Sequence, residues 1–280
     1  MQTRPKLKKI SSVITKYNIK PKKSLSQNFL FDLNLTEQIV RSMGEITGYD
    51  IVEIGPGPGS LTRSLLHLGA RRVIAVEKDA QFLKPLEELS EAYPGRLKVI
   101  HNDFLLINPK TFSQSPIKVV SNLPYNIGTQ IFLRLINTEI WPPFWTSLTL
   151  MFQKEVAERI VSKPKNKAYG RLSIISQWRS NASIVLRVKA ESFVPIPKID
   201  SAIVRLTPMK KPIIPTQHAT LEKLIKIAFA QRRKMLRQSL KKTNKDILQI
   251  LNTAGIDPTS RPEDLSIRQF CSLANLLGPF

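Results

Sequence analysis

The sequence predicts an α/β protein: a doubly wound, mostly parallel sheet with a smaller all-helical C-terminal domain. Three observations carry this. Short apolar strand candidates alternate with amphipathic helix patterns from Asp50 to Phe152. Such alternation builds βαβ units, whose right-handed crossovers cover both faces of a parallel sheet. A glycine-rich turn, Gly55-Pro56-Gly57-Pro58-Gly59, joins the first of these strands to the helix after it. Beyond a proline-marked stretch at 208–216 the patterns are helical.

Taken in order, Leu35–Met43 has apolar residues three and four apart and predicts a helix. Asp50–Ile54 reads as strand, Ser60–Leu68 as helix, Arg72–Val76 as strand and Ala80–Leu89 as helix. Leu97–His101 and Lys118–Ser121 are further strands, Thr129–Ile136 a helix and Ser147–Phe152 a strand. Ile184–Val188 and Ala202–Leu206 are β-rich runs separated by Phe193-Val194-Pro195-Ile196-Pro197, which predicts a hairpin-like terminal pair. Helices are expected at Leu221–Lys241, Lys245–Ala254 and Ser266–Leu277, with Gly255 and Pro258 stopping the second. The domain boundaries that follow are a basic arm at 1–23, an α/β domain at 24–210 and a helical domain at 211–280.

The chain has 280 residues, 42% hydrophobic and 23% charged, as a folded globular protein would. Lys and Arg number 43 against 21 acids, a net charge of +22. That excess repels itself and points to a polyanionic partner, nucleic acid before anionic membrane. Arg4, Lys6, Lys8, Lys9, Lys16, Lys20, Lys22 and Lys23 precede the first acid, Asp32, and read as a solvated tail. The arm is acid-free and holds Ser11, Ser12 and Thr15, so a mitochondrial presequence is the less favoured reading of it. Cys271 is the single cysteine, which excludes an intrachain disulfide and a cysteine zinc cluster. His67, His101 and His218 are scattered, so no metal is expected. No apolar run approaches the ~18 residues of a membrane span. A reducing, cytoplasmic compartment is expected.

The turn after Asp50–Ile54 lets backbone approach a ligand closely. Glu77 ends the second strand 22 residues after Gly55, where an acid accepts hydrogen bonds from a ribose diol. The two features read as a site for an adenosine-containing cofactor. A dinucleotide fingerprint spaces its glycines G-x-G-x-x-G; here the third comes one residue early, and Glu53 precedes the loop. A carboxylate there suits a cationic amino-acid end better than a pyrophosphate, which points to S-adenosylmethionine. Asp103, at the end of the third strand, is placed to accept from an adenine amino group.

Asn122-Leu123-Pro124-Tyr125 follows the fourth strand, where ligands gather in an open parallel sheet. An aromatic exocyclic amine is a poor nucleophile, because its lone pair is delocalised into the ring. The Asn122 oxygen and a nearby backbone carbonyl would hold both N–H groups and aim the lone pair at a sulfonium methyl. Tyr125 would stack on the extruded base. Alignment and electrostatics would supply most of the barrier reduction.

From about Lys22 to the C-terminus the sequence resembles the ribosomal RNA adenine dimethyltransferase family. The resemblance lies in Ser26-Gln27-Asn28-Phe29-Leu30, EIGPGPGSLT at 53–62, VEKD at 76–79, NDF at 102–104 and the Asn122–Tyr125 motif. It continues in QKEVAERI at 153–160, YGRLS at 169–173, FVPIPKIDSAIVRL at 193–206 and AFAQRRKMLRQSL at 228–240. It implies a seven-stranded, Rossmann-like methyltransferase sheet in the α/β domain and RNA binding by the helical domain. The implied reaction is N6,N6-dimethylation of two adjacent adenines near the 3′ end of small-subunit (16S) rRNA, with a role in subunit biogenesis. Asn28 and Leu30 would contact the cofactor, Gly55 its methionine portion, Glu77 the ribose, Asp103 the adenine and Asn122 the methyl region. Glu53, Gly57, Lys78 and Phe104 complete the expected cofactor set. Leu123, Pro124 and Tyr125 would line the target pocket, and Phe193 would stack on the other face of the base. S-adenosylhomocysteine would be the product, a pre-30S particle the partner, and the protein a monomer.

Arg232, Arg233, Lys234, Arg237, Lys241 and Lys242 crowd one predicted helix. Spacings of three and four put Lys234, Arg237 and Lys241 on one side of it, facing RNA phosphate. The basic arm and Lys163, Lys165 and Lys167 are weaker candidates. Competing readings are a large-subunit adenine methyltransferase of the resistance type, an organellar relative doubling as a transcription factor, and a nicotinamide dehydrogenase. The helical tail disfavours the first, the intact motifs argue against lost catalysis in the second, and the glycine spacing disfavours the third.

Overall fold

The computed structural model describes residues 5, 7–22, 27–108, 112, 116–243 and 246–279. Arg4, Lys6, Lys23, Ser26 and Lys245 lie outside the described residues, as does the side chain of Lys242. Two compact units share the chain. The first takes Met1–Leu135, Pro143–Ala157 and Ser183–Thr207; the second takes Ile136–Pro142, Glu158–Ala182 and Pro208–Phe280. The helical unit therefore begins its longest segment at the proline stretch, and it also draws in two excursions from the middle of the chain.

In chain order the elements begin with α1 (Ile10–Lys16), β1 (Phe29–Leu30), α2 (Leu33–Ser42), β2 (Asp50–Ile54), α3 (Ser60–His67) and β3 (Arg72–Glu77). They continue with α4 (Leu83–Ala92), β4 (Leu97–His101), β5 (Ile117–Asn122), α5 (Gly128–Ile136), β6 (Trp145–Gln153), α6 (Lys154–Val161) and α7 (Arg171–Arg179). Then come β7 (Ser180–Val188), β8 (Phe193–Val194), β9 (Ser201–Pro208), α8 (His218–Ala230), α9 (Leu236–Ser239), α10 (Ile247–Thr253) and α11 (Ile267–Leu277).

Seven strands form one sheet in the order β4-β3-β2-β5-β6-β9-β7, and β1 pairs with β8 apart from it. Strands β4, β3, β2, β5 and β6 run parallel, and β9 adds antiparallel to β6. The inner parallel strands β2, β3 and β5 are buried on both faces and are mainly apolar, without strict alternation. Ile51, Val52, Val119 and Val120 are fully enclosed. At its amino end β2 carries a buried acid, Asp50, which Arg71 meets at 2.8 Å and Arg72 at 2.6 Å. The chain leaves β2 toward β3 and β4, then returns to β5 on the other side. That reversal opens a crevice at the carboxyl ends of the strands, where open α/β sheets bind ligands.

Two expectations need correction. Residues 10–19 are not a solvated tail: α1 buries Ile10 and Val13, and Val13 and Ile19 join a cluster with Phe29, Phe82 and Leu86. Lys16 pairs with Glu88 of α4. The helix is only seven residues long, too short for its apolar spacing to stand out in the sequence. The second correction concerns 221–241, which is not one helix. α8 stops at Ala230, and Met235 is extended, with φ −62° and ψ 148°. The backbone turns out of the helix to donate from Leu236 N–H to Ser260 O (2.8 Å) and from Arg237 N–H to Pro258 O (3.3 Å). Leu236 is fully buried by that turn.

The second unit is built mainly from α7–α11. The Tyr169 hydroxyl donates to Leu265 O at 3.0 Å, and Phe229 stacks on Phe270. Cys271 is buried there, and burial pushes its thiol up to about 11. Among the described residues no helix is long and apolar enough to cross a membrane.

Candidate active site

The carboxyl ends of β2, β3 and β5, with the loop after β4, converge on one cavity in the first unit. The Gly55–Gly59 turn forms one wall. Gly57 sits at φ +55°, a left-handed conformation that favours glycine, and its N–H donates to Glu77 Oε2 at 3.0 Å. Gly59 is left-handed at φ +88°, and a Cβ there would stand 3.2 Å from Leu89. The sequence thus needs glycine at both positions, one for the ligand wall and one for packing against α4.

Glu77 is buried at the end of β3 and lines the cavity. Its second oxygen accepts the Asp79 N–H at 2.7 Å. Burial raises its pKa, while the backbone bonds from Asp79 and Gly57 pull it back toward the charged form. Glu53 lines the same cavity and is 1% exposed. Its Oε2 has no hydrogen-bond partner among the described residues. Burial, with a further push from Glu77, raises its pKa to about 8. A cationic amino group would satisfy that oxygen and stabilise the carboxylate. The two carboxylate acceptors therefore fit the amino-acid end and the ribose of S-adenosylmethionine.

Asp103 and Phe104 also line the cavity. Lys78 Nζ lies 2.8 Å from Asp103 Oδ2, and Leu105 N–H donates to Oδ1 at 2.9 Å. The Lys78 ammonium holds the Asp103 carboxyl below its usual range. Lys78 is an exposed rim residue that acts through this pair. Phe104 is buried and stacks on Phe112 with an interplanar angle of 5°.

Residues 27–30 also line the cavity. Asn122 Nδ2 donates to Asn28 O at 3.0 Å, which leaves Oδ1 as the acceptor end of the amide. Leu123 is buried, and Pro124 and Tyr125 line the cavity beside it. The Tyr125 hydroxyl and Ser201 Oγ stand 2.7 Å apart, and burial pushes the phenol pKa up, keeping it protonated.

Asn28, Leu30, Glu53, Gly55, Gly57, Glu77, Lys78, Asp103, Phe104 and Asn122 through Tyr125 thus share one cavity. Phe193 does not. It is fully buried, opposite Leu30 in the β1–β8 pair, and belongs to a core cluster with Met151 and Ile203. In this structure its ring is a packing element beneath the segment that lines the cavity. Gln27 and Asp79 are residues to which the sequence alone assigns no role. Asp79 Oδ2 accepts from Gln27 Nε2 at 2.9 Å, and Lys22 Nζ reaches Oδ1 at 2.8 Å. Burial alone would raise Asp79, but hydrogen bonds from Lys22, Gln27 and Gln81 hold it low. Its position in a strand-to-helix turn, two residues past Glu77, is the one signal the sequence offers.

In the second unit, Arg232 lies in the turn after α8 and pairs with Glu263 at 2.6 Å. Arg233, Lys234, Arg237 and Lys241 are exposed, spread over that turn, α9 and the 3₁₀ turn Lys241–Thr243. They do not form one helical stripe. Among the described residues no cluster of three His, Cys, Asp or Glu could hold a metal ion.

A family model described as ribosomal RNA adenine dimethylase matches residues 18–278. The chain belongs to this family. Its relatives include a ribosomal RNA small subunit methyltransferase A from Paracoccus denitrificans, 53% identical over 269 residues, covering 96% of this chain and 95% of the relative. A protein of the same name from Roseobacter denitrificans is 50% identical over 278 residues, 99% of each chain. Among solved structures, a dimethyladenosine transferase from Plasmodium falciparum matches with a TM-score of 0.75 and 25% identity, over 88% of this chain and 95% of the other. The 23S rRNA methyltransferase ErmE matches with a TM-score of 0.68 and 26% identity, over 89% and 99%. This adenine dimethylase chain therefore shares about twice the identity with the named small-subunit relatives that it shares with the large-subunit enzyme.

Proposed function

We propose that this rRNA adenine dimethylase transfers methyl groups from S-adenosylmethionine to N6 of two adjacent adenines near the 3′ end of small-subunit rRNA. One observation carries the chemistry. The Asn122 amide, tied by its nitrogen to Asn28 O, lines the same cavity as the Glu77 carboxylate and the Glu53 carboxylate, whose Oε2 has no partner among the described residues.

Bound S-adenosylmethionine supplies an electrophilic methyl group on a sulfonium sulfur, and S-adenosylhomocysteine leaves. Glu53 holds the cationic amino group, and Glu77 accepts from the ribose hydroxyls. Asp103, with Lys78 neutralising its outer oxygen, faces the adenine of the cofactor. Asn122 Oδ1 accepts one N–H of the target amine, which draws the nitrogen out of conjugation and orients its lone pair. Tyr125 stacks on the extruded base, its hydroxyl tethered to Ser201. No strong base is required, because the amine becomes acidic once methylated and sheds its proton to water. Repeating the cycle gives the dimethylated base.

The exposed cations Arg233, Lys234, Arg237 and Lys241 would contact RNA phosphate, with Arg232 paired to Glu263. The substrate is small-subunit RNA in a partly assembled particle, and the enzyme acts as a monomer. The deciding experiment supplies labelled S-adenosylmethionine with unmethylated small subunits, or with large subunits, and maps the modified bases. Two adjacent dimethylated adenines near the small-subunit 3′ end are expected. Label confined to large-subunit RNA would overturn the assignment.

A further inference from the structure

We propose that Gln27 and Asp79 form a latch that selects which end of the Asn122 amide meets the target amine. This rests on the orienting role of Asn122 given above.

A side-chain amide has two orientations that differ little in shape. In one, Asn122 offers its oxygen to the incoming N–H groups. In the other, its NH₂ faces the amine, donor against donor, and nothing holds the nucleophile. The choice is made by the group behind the amide, Asn28 O at 3.0 Å. A carbonyl oxygen only accepts, so it binds the amide nitrogen and repels the amide oxygen. Asn28 therefore acts through its backbone, and what matters is where residues 27–30 place that carbonyl.

The segment is pinned on both sides of Asn28. On one side, Phe29 and Leu30 pair with Val194 and Phe193. On the other, Gln27 is held at each end of its side chain: Nε2 donates to Asp79 Oδ2 at 2.9 Å, and Oε1 accepts from Lys22 N–H at 2.8 Å. Lys22 Nζ closes the ring on Asp79 Oδ1 at 2.8 Å. Asp79 is 6% exposed and cannot swing away from this duty. Its own N–H is bound to Glu77 Oε1 at 2.7 Å, so the anchor of the latch is also a support of the ribose-binding acid. One short turn thus joins the two halves of the reaction, seating the cofactor and presenting the acceptor. Gln27 and Asp79 are positioning residues: their side chains act on the amine only through Asn28 and Asn122.

The test is a double-mutant cycle on single-turnover methyl transfer, with saturating S-adenosylmethionine and unmethylated small subunits. Gln27→Ala should slow the step about tenfold in the native background, the order expected from losing its side-chain hydrogen bonds to Asp79 and Lys22. It should leave the residual rate of Asn122→Ala unchanged, because the amide it orients is gone. Asp79→Asn, which keeps an acceptor oxygen for Gln27, should retain more of the rate than Asp79→Ala at equal cofactor occupancy. Equal slowing by Gln27→Ala in both backgrounds would overturn the latch while leaving the role of Asn122 intact. A near-normal rate for Asn122→Ala alone would overturn the site reading on which the latch depends.

Discussion

Glu53 is a carboxyl group that the fold shields from water and leaves half-bonded. Its pKa of about 8, against an ordinary 4.5, means that the cofactor-free native state keeps a proton that the unfolded chain has lost. Native protein binds more protons across that window, so stability falls as pH rises from about 4.5 through about 8. Glu53→Gln should flatten this dependence, measured as Tm against pH. A bound ammonium group favours the carboxylate, so cofactor binding at pH 7 should release a proton. Calorimetry in buffers of different ionisation heat would show it, and Glu53→Gln would abolish it. Glu77→Ala should weaken cofactor binding by about 1–3 kcal/mol, read by titration calorimetry. Asn122→Ala should bind cofactor normally and lose about 10²-fold or more in methyl transfer, checked by single-turnover assay. The cavity positions of Glu53, Glu77, Asp103 and Asn122 are legible in the sequence because each lies at or near the carboxyl end of a strand. Phe193 is not, because an aromatic before prolines looks the same whether it faces a cavity or the core. Gln27 falls in a family motif, but its role is not legible because its partners, Lys22 and Asp79, come together only through the fold.

At the scale of elements, the turn at 231–235 decides how charge is displayed. A continuous helix would align Lys234, Arg237 and Lys241 as a stripe. The turn, imposed by backbone bonds to Pro258 and Ser260, spreads them over separate short pieces instead. Helical periodicity runs through this break because every residue from 231 to 241 tolerates helix and none is glycine or proline; the competing signal lies some twenty residues downstream. Charge reversal at Arg233 and Arg237 should weaken RNA binding and lower the slope of log affinity against log salt by about 0.7–0.9 for each phosphate no longer neutralised. Filter binding across a salt series measures this, and an unchanged slope would remove these arginines from the RNA surface. The alternation of β2 through β6 with helices is legible because these strands are short, mainly apolar runs. The helix α1 is not, since seven residues give too few turns for a pattern to stand out.

Across the whole molecule, a net charge of +22 separates the two ligands by their salt response. RNA affinity should fall steeply with ionic strength, whereas S-adenosylmethionine, held by a few buried groups, should bind almost equally at low and high salt. Parallel titrations at two salt concentrations test this. The pairing of β2 with β3 carries a consequence of another kind. Ile54 stands beside Val76, so the two acids reach the cavity from neighbouring strands at a fixed offset. Side chains on a strand alternate between faces, so adding or deleting one residue within 72–76 would turn Glu77 away while the sheet still formed. The same change at 68–71, outside the strand, would be absorbed by the connection. Viable length variants of this protein should therefore cluster in that connection and be missing from the strand that follows it.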